Sequence, residues 1–580
     1  MPQPNANLKS TSLPSFTILS SGIALDTSQV ISIRVSTEIG RIPEAEIILS
    51  DGNVAKQTFG VSTKDDFTPG NELEIKLGYH QKNNSIFKGN IIKHGIRTSS
   101  GQNSTLTVEL KHSIYKATLQ RKNGVFLKSK DGDTIDTILG KYGIQKSVET
   151  TQLEHQQMIQ MNSSDWDFVN MRAEANNLLV FPKLSKIEIK KIETGLEKIE
   201  LSYGKSIIDV DLEMDNRVDF EDFTAKTWNP AEQKFIESNP TVAGLTEIGN
   251  LSASVLASKA KHSKFLFNNG ATLKANEVVG VLNAQKSKSI LSKIRGNIKC
   301  EGTSEVEIGD TIKLSGLGER FNGKAYVTGV LHEISAGRWF TTFQVGLNPE
   351  RFIDRYSDVN EKPASGLLPA VNGLQIGKVA KIISENDEPT VLVKIPIASE
   401  GSDAVWARVA RLDAGNKRGS IFHPEEGDEV ILGFINDDPR QAIILGMLNS
   451  SKNIVPEKLK AADKNPIKGF VTRSELKLLF DDDKKILTIE TPKGKIEIND
   501  DKKTIIIKDD SNKNTITLSD KGVAIECEKD LSISAKGNIK IEGKKVEIKA
   551  KSSFSAEGSS GASVKSNGTT DIKGSTVNIN

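Results

Sequence analysis

From Glu475 onward, apolar residues return in i, i+2 pairs: Leu476/Leu478, Leu487/Ile489, Ile496/Ile498, Ile505/Ile507, Ile516/Leu518, Val523/Ile525 and Leu531/Ile533. The series continues through Ile539/Ile541, Val546/Ile548, Phe554/Ala556, Ala562/Val564 and Thr570/Ile572, where Thr stands in for an aliphatic, to Val577/Ile579. Spacing is irregular at first and then settles at seven or eight residues. A repeat of this kind constrains the fold more than composition does. Each unit is one short strand with two inward residues and a corner that often holds Gly, as at Gly522, Gly537, Gly543, Gly558, Gly568 and Gly574. Two inward aliphatics supply only roughly 3–6 kcal/mol, too little to order a unit alone.

A single-chain β-helix needs three strands per coil, a repeat of about 20 residues or more. The short period instead predicts three chains winding about one axis, each strand pairing with strands of other chains. Glycine at a corner permits a turn, including φ > 0, that bulkier residues resist. Closure into a prism removes the open edges that make such strands aggregate. Thirteen strands stacked at ~4.8 Å would make a rod about 60 Å long. A disordered Ser/Gly/Lys-rich tail is the competing reading, and the regular aliphatic pairs argue against it.

The remaining chain divides by pattern. At 580 residues it is too long for one core, and a scale of roughly 150 residues per domain suggests three or four units. Residues 15–119 alternate as strands, as in "ELEIKLGY" and "STLTVELKH". A mixed stretch follows with helical periodicity in "DTIDTILGKYGI" and "SSDWDFVNMRAEANNLLVF", where Ser164 and Asp167 form a capping pair. Strands return over 187–352. Five strand-like runs over 373–449 suit a Greek-key barrel of the OB type.

The expected fold is therefore mainly β with a minor α+β part. A hub-like β-barrel and α+β region (1–355) is followed by a linker (356–372), an OB-fold barrel (373–450), a second linker (451–470) and the trimeric intertwined β-helix needle (471–580). Charges nearly cancel, 77 basic against 75 acidic, so the whole-chain balance gives no electrostatic case for nucleic acid or an anionic membrane. Cys300 and Cys527 lie in different regions and are expected to be two free thiols in a reducing compartment. The N-terminus lacks a signal-peptide pattern, and no window approaches the roughly 18 apolar residues of a membrane span. A soluble protein made in the cytoplasm is expected.

Together these features resemble the VgrG-type spike proteins of contractile injection systems: type VI secretion, extracellular injection particles and phage tail hubs with needles. "SSDWDFVNMRAEANNLLVF" is similar to a family segment S-D-W-D-F-x-x-x-R-A-E-x-N-G, with Trp166, Phe168, Arg172, Glu174 and Asn176 in place. Asn177 replaces the usual Gly and is the other residue that tolerates φ > 0 at a helix end. Gly309, Asn322, Gly323 and His332 match the family's closing hub strands. The barrel stretch is the most specific, with Trp406, Arg408, Gly419, Pro424, Gly427, Glu429, Val430, Phe434, Asp438, Pro439 and Gly446 matching. Asp437 stands where family members often have Gly.

The resemblance implies a homotrimer joining a hexameric tube protein and baseplate proteins to a puncturing needle. Effector cargo would be carried through a target envelope. It also implies two similar hub barrels per chain, although the two β-rich stretches share no alignable letters. Assembly in the bacterial cytoplasm and expulsion on contraction are implied as well. A needle ending in "STVNIN" without a metal-bound tip implies a separate PAAR-type tip protein, docking on Val577, Asn578, Ile579 and Asn580. No enzyme, cofactor, metal or nucleic-acid partner is expected.

"YGKS" at Tyr203–Ser206 ends like a P-loop, but Ile199 occupies the earlier glycine position. The seven histidines are scattered without H-E-x-x-H or a close Cys partner. His332 reads as a strand residue and His423 as a turn residue. Asp481, Asp482 and Asp483 read as an acidic turn rather than a cation site, and Asp437–Pro439 as another turn. A polysaccharide lyase would need longer coils with a carboxylate or Arg cluster on one face. A surface adhesin would want a signal peptide.

Overall fold

The computed structural model describes residues 13–99, 102–242, 245–359, 361–383, 389–401 and 403–579. The chain forms two compact units, Met1–Gly373 with Phe434–Ala442 and Leu374–Gly433 with Ile443–Asn580. Among the described residues no helix is long and apolar enough to cross a membrane.

In the first unit, the two β-rich stretches meet in one thirteen-stranded sheet. The join is antiparallel, Val30–Glu38 against Gly323–Ser335, from Ser32 opposite Ser335 to Glu38 opposite Gly329. Alternation puts Ile47, Leu49, Ile75, Leu77 and Val108 into one core and Ile298, Ile312, Val327 and Phe343 into a second. Ile334 and Trp339 come from the second stretch yet pack in the first core. The stretches are thus coupled by a common sheet over separate cores.

An α/β insert separates them. The helix Asp165–Ala175 starts where Ser164 Oγ accepts the Asp167 N–H at 3.0 Å, the capping pair expected from the sequence. Its Trp166 is buried and donates Nε1–H to the Gly40 carbonyl at 3.1 Å. Asn177, just past the helix, adopts φ +57° as expected. Two helices depart from the sequence reading, Ala253–Ala260 and Ala275–Ser292, inside the stretch read as strands. The longer one buries Ser287, Lys288, Ser289 and Ser292 beside Val278, Leu282 and Leu291. Its inner face is half polar, so it lacks the apolar stripe that marks a helix in sequence.

The second unit holds a closed barrel of five strands: Gln375–Lys381, Thr390–Lys394, Val405–Val409, Glu429–Phe434 and Ala442–Leu448. Val379, Val391, Val393, Ala407, Val430, Leu432 and Ile444 fill it. Gly377 is needed for packing, since a Cβ there would lie 2.4 Å from Val393 Cγ1. A seven-stranded antiparallel meander follows, from Ile467–Val471 to Gly522–Glu526. Its first strand begins inside the stretch expected to be linker. From Cys527 to Ile579 the backbone has no strand pairing within the chain, and every described residue is exposed.

The expectation that every tail strand pairs with other chains therefore fails over Ile467–Glu526. There each strand pairs with its sequence neighbours. The reason lies in the turns. Asp481, Asn499 and Asp509 end strands and accept, through Oδ1, the N–H of Lys484 (3.0 Å), Lys502 (2.9 Å) and Asn512 (3.1 Å). Lys485, Lys503 and Lys513 then close the loops at φ +50°, +52° and +54°. These side-chain-capped loops are short enough to fold each strand back on the last.

Candidate functional site

The aliphatic pairs of the tail share one face of the meander. Cross-strand partners line up as a column Leu478, Ile489, Ile496, Ile507, Ile516, Ile525 and a second column Phe480, Leu487, Ile498, Ile505, Leu518, Val523. The opposite face carries charge, with Glu490 opposite both Lys477 and Lys495. Lys477 Nζ reaches Glu490 at 2.7 Å and Lys458 Nζ reaches it at 2.9 Å, and together they hold that carboxyl below its usual range.

The apolar columns are not covered. Ile489 is 47%, Ile507 44% and Val523 70% exposed, whereas the barrel valines are buried. Completing the burial of one half-exposed aliphatic stabilises by roughly 1 kcal/mol, so eleven of them with Phe480 in two columns make a large unsatisfied surface. Beyond Glu526 the pairs persist with no cover, Leu531/Ile533 at 57% and 68% and Ile539/Ile541 at 53% and 71%. There the backbone donors and acceptors also lack a ladder.

Barrel and meander are tied together. Phe422, in the loop before the fourth barrel strand, stacks on Phe470 with centroids 5.5 Å apart and planes 11° apart. Arg473 in the first meander turn bonds Glu425 in the same barrel loop at 2.7 Å.

The expected docking residues Val577, Asn578 and Ile579 lie in the exposed extended segment, and Asn580 lies outside the described residues. His332 is a buried strand residue whose Nδ1 is 3.0 Å from Thr341 Oγ1, and burial lowers its pKa to about 4. His423 sits in the loop before Glu429–Phe434, 3.4 Å from Arg411. Tyr203–Ser206 is the turn between the strands Glu197–Ser202 and Ile207–Met214, with Gly204 at φ +74°. Asp481–Asp483 end a strand and enter a turn, as expected. Asp437 adopts φ +54°, which explains a glycine preference at that position. Asp438 accepts two bonds from the Arg440 guanidinium, and with the Arg440 N–H these depress its pKa to about 2. Cys300 is buried, Cys527 exposed, and both are free. Among the described residues no group of three or more His, Cys, Asp or Glu is placed to hold a metal ion.

The turn signal was present in the sequence. "DDDKK", "NDDKK" and "DDSNK" each put Asp or Asn at the strand end and Lys at the loop end.

The barrel defines the class. Residues 375–448 match the family model described as the type VI secretion system/phage-baseplate injector OB domain. Residues 10–336, more than half of the chain, match the model described as the Alg8 N-terminal domain, and the chain belongs to that family. Among curated proteins, it is 41% identical over 59 residues to the type VI secretion system spike protein VgrG3 of Vibrio cholerae serotype O1, covering 10% of this chain and 6% of that protein. It is 36% identical over 61 residues to the spike protein VgrG5 of Pseudomonas aeruginosa, covering 10% and 8%. The matched stretches thus span under a tenth of those relatives. Among solved structures, the prophage MuSo2 43 kDa tail protein from Shewanella oneidensis aligns with 12% identity and a TM-score of 0.44, covering 58% of this chain and 98% of that one. At that score the likeness carries no weight for fold or function.

Proposed function

We propose that this chain is the non-enzymatic spike of a contractile injection machine, acting as a homotrimer. The observation that carries the reading is the one-sided apolar face of the meander, continued by the same aliphatic pairs in a segment with no ladder of its own. Three copies would bury these columns against one another around one axis. The segment beyond Glu526 would then pair between chains, as the repeat length suggests.

In this reading residues 1–355 form the hub that meets the hexameric tube and baseplate, and 373–450 form the barrel. The needle takes in the strands from Ile467 onward. The Phe422–Phe470 stack and the Arg473–Glu425 pair pass load from barrel to needle. A PAAR-type tip protein would meet the exposed Val577 and Ile579, and effector cargo would travel with the assembly. The particle would be built in the bacterial cytoplasm and expelled on contraction. A phage-like tail hub is the second reading, favoured by the OB-domain match, whose description covers both systems.

Light scattering on the full-length chain tests this beside a version ending at Asn449. The expected mass is three times 63.2 kDa, with association weakened by the truncation. A single-chain mass for both would overturn the spike reading.

A further inference from the structure

The whole-chain charge hides a local excess. Residues 467–526 carry twelve basic and twelve acidic side chains, and residues 552–579 carry two of each. Between them, residues 536–551 hold six lysines, 536, 540, 544, 545, 549 and 551, against only Glu542 and Glu547. Those two acids are already engaged. Lys540 pairs with Glu542, and Lys545 pairs with Glu547 at 2.7 Å. Lys536, Lys544, Lys549 and Lys551 are exposed and have no ion-pair partner among the described residues.

The inward pairs here are Ile539/Ile541 and Val546/Ile548, so alternation turns Lys549 and Lys551 outward beside the paired Lys540 and Lys545, while Lys536 and Lys544 flank the corner glycines 537 and 543. Two strands stacked at the usual spacing occupy only about 10 Å of a rod. Resting on the three-copy reading above, twelve unpaired ammonium groups would then ring the needle within that height.

We propose that this ring is a docking collar for anionic phospholipid headgroups. Clusters of about four to eight basic side chains beside a bilayer bind acidic lipids through the surface potential, and lysine does so as a mobile point charge. Nucleic acid fits the collar less well. The window 536–551 has no Phe, Tyr or Trp on which bases would stack, and no helix to enter a groove. In the three-copy arrangement glycines at 537 and 543 would leave the corners without side chains, so the neighbouring lysine heads would reach furthest out. Residues 527–535, with Glu528 and Asp530 against Lys529, and the neutral segment 552–579 on the other side confine the attraction to one level of the needle.

Vesicle flotation with the purified full-length protein tests the collar. Vesicles of phosphatidylcholine alone are compared with vesicles containing phosphatidylglycerol, at low and physiological salt. The collar variant carries Lys536→Gln, Lys544→Gln, Lys549→Gln and Lys551→Gln. A control variant carries Lys484→Gln, Lys485→Gln, Lys502→Gln and Lys503→Gln, removing the same charge from the meander turns. Wild type and control are expected to float with the anionic vesicles only, more weakly in salt. The collar variant should bind at least about tenfold less. Equal flotation with both lipids, equal loss in both variants, or preferential capture by added duplex DNA would overturn the collar. Light scattering on the same samples separates the premises. Trimers that fail to float remove the collar but not the spike, and flotation by single chains removes the spike but not the lipid site.

Discussion

Asp219 is fully enclosed, and its Oδ2 has no hydrogen-bond partner among the described residues. Oδ1 lies 3.4 Å from Ser289 Oγ, and Lys293 nearby is committed to Glu247 at 2.7 Å. Burial, reinforced by Glu247 and Asp215, lifts its pKa to about 6. The sign follows from linkage. Between about pH 4 and pH 6 the folded chain holds a proton that the unfolded chain has released, so stability rises as pH falls through 6. Asp219→Asn removes the charged form. The variant should be more stable than wild type at pH 7.5, by up to about 2–3 kcal/mol, and the gap should close near pH 4. Thermal melts at the two pH values decide it; an equal gap at both would show that Asp219 does not titrate in this way.

At the scale of elements, the loop lysines are the clearest handle. A non-glycine residue in the left-handed region costs roughly 1–2 kcal/mol, and glycine avoids most of that. Lys503→Gly should raise the stability of the meander by a few tenths to about 1 kcal/mol, read as a higher urea midpoint. Lys508→Gly, mid-strand, should lower it. Urea melts of both variants give the comparison. Ser164→Ala should cost about 1 kcal/mol in the hub through the lost cap, read in the same way. The Ser164/Asp167 cap, Asn177 and the five barrel strands were legible because each rests on a local rule. The hairpins went unread although Asp or Asn stood at the strand ends, because in three of the loops Lys485, Lys503 and Lys513 fill the left-handed position where Gly or Asn advertises a turn. The helix Ala275–Ser292 escaped because its buried face mixes serines with aliphatics.

For the molecule as a whole, the columns predict self-association. Ile496→Lys with Ile507→Lys places two charges side by side in one column. Their effect should be a fall to the single-chain mass of 63.2 kDa, with hub and barrel still folded by circular dichroism. An unchanged mass would mean that the face is covered in some other way. The periodic pairs made this face readable, since i, i+2 spacing puts both columns on one side whatever the strands pair with. The choice of pairing partner was not readable from period alone. Nor was the thirteen-stranded sheet of the first unit, which joins stretches hundreds of residues apart.

That shared sheet sets a timetable for synthesis. Val30–Glu38 has one neighbour early, Glu44–Ser50, but its other edge waits for Gly323–Ser335. At roughly 5–20 residues per second, the ribosome leaves that edge unpaired for about 15–60 s. Ser32, Arg34, Ser36 and Glu38 punctuate the waiting strand with polar groups, as exposed edges require. The nascent chain is therefore most open to aggregation while its own completing strand is still being translated.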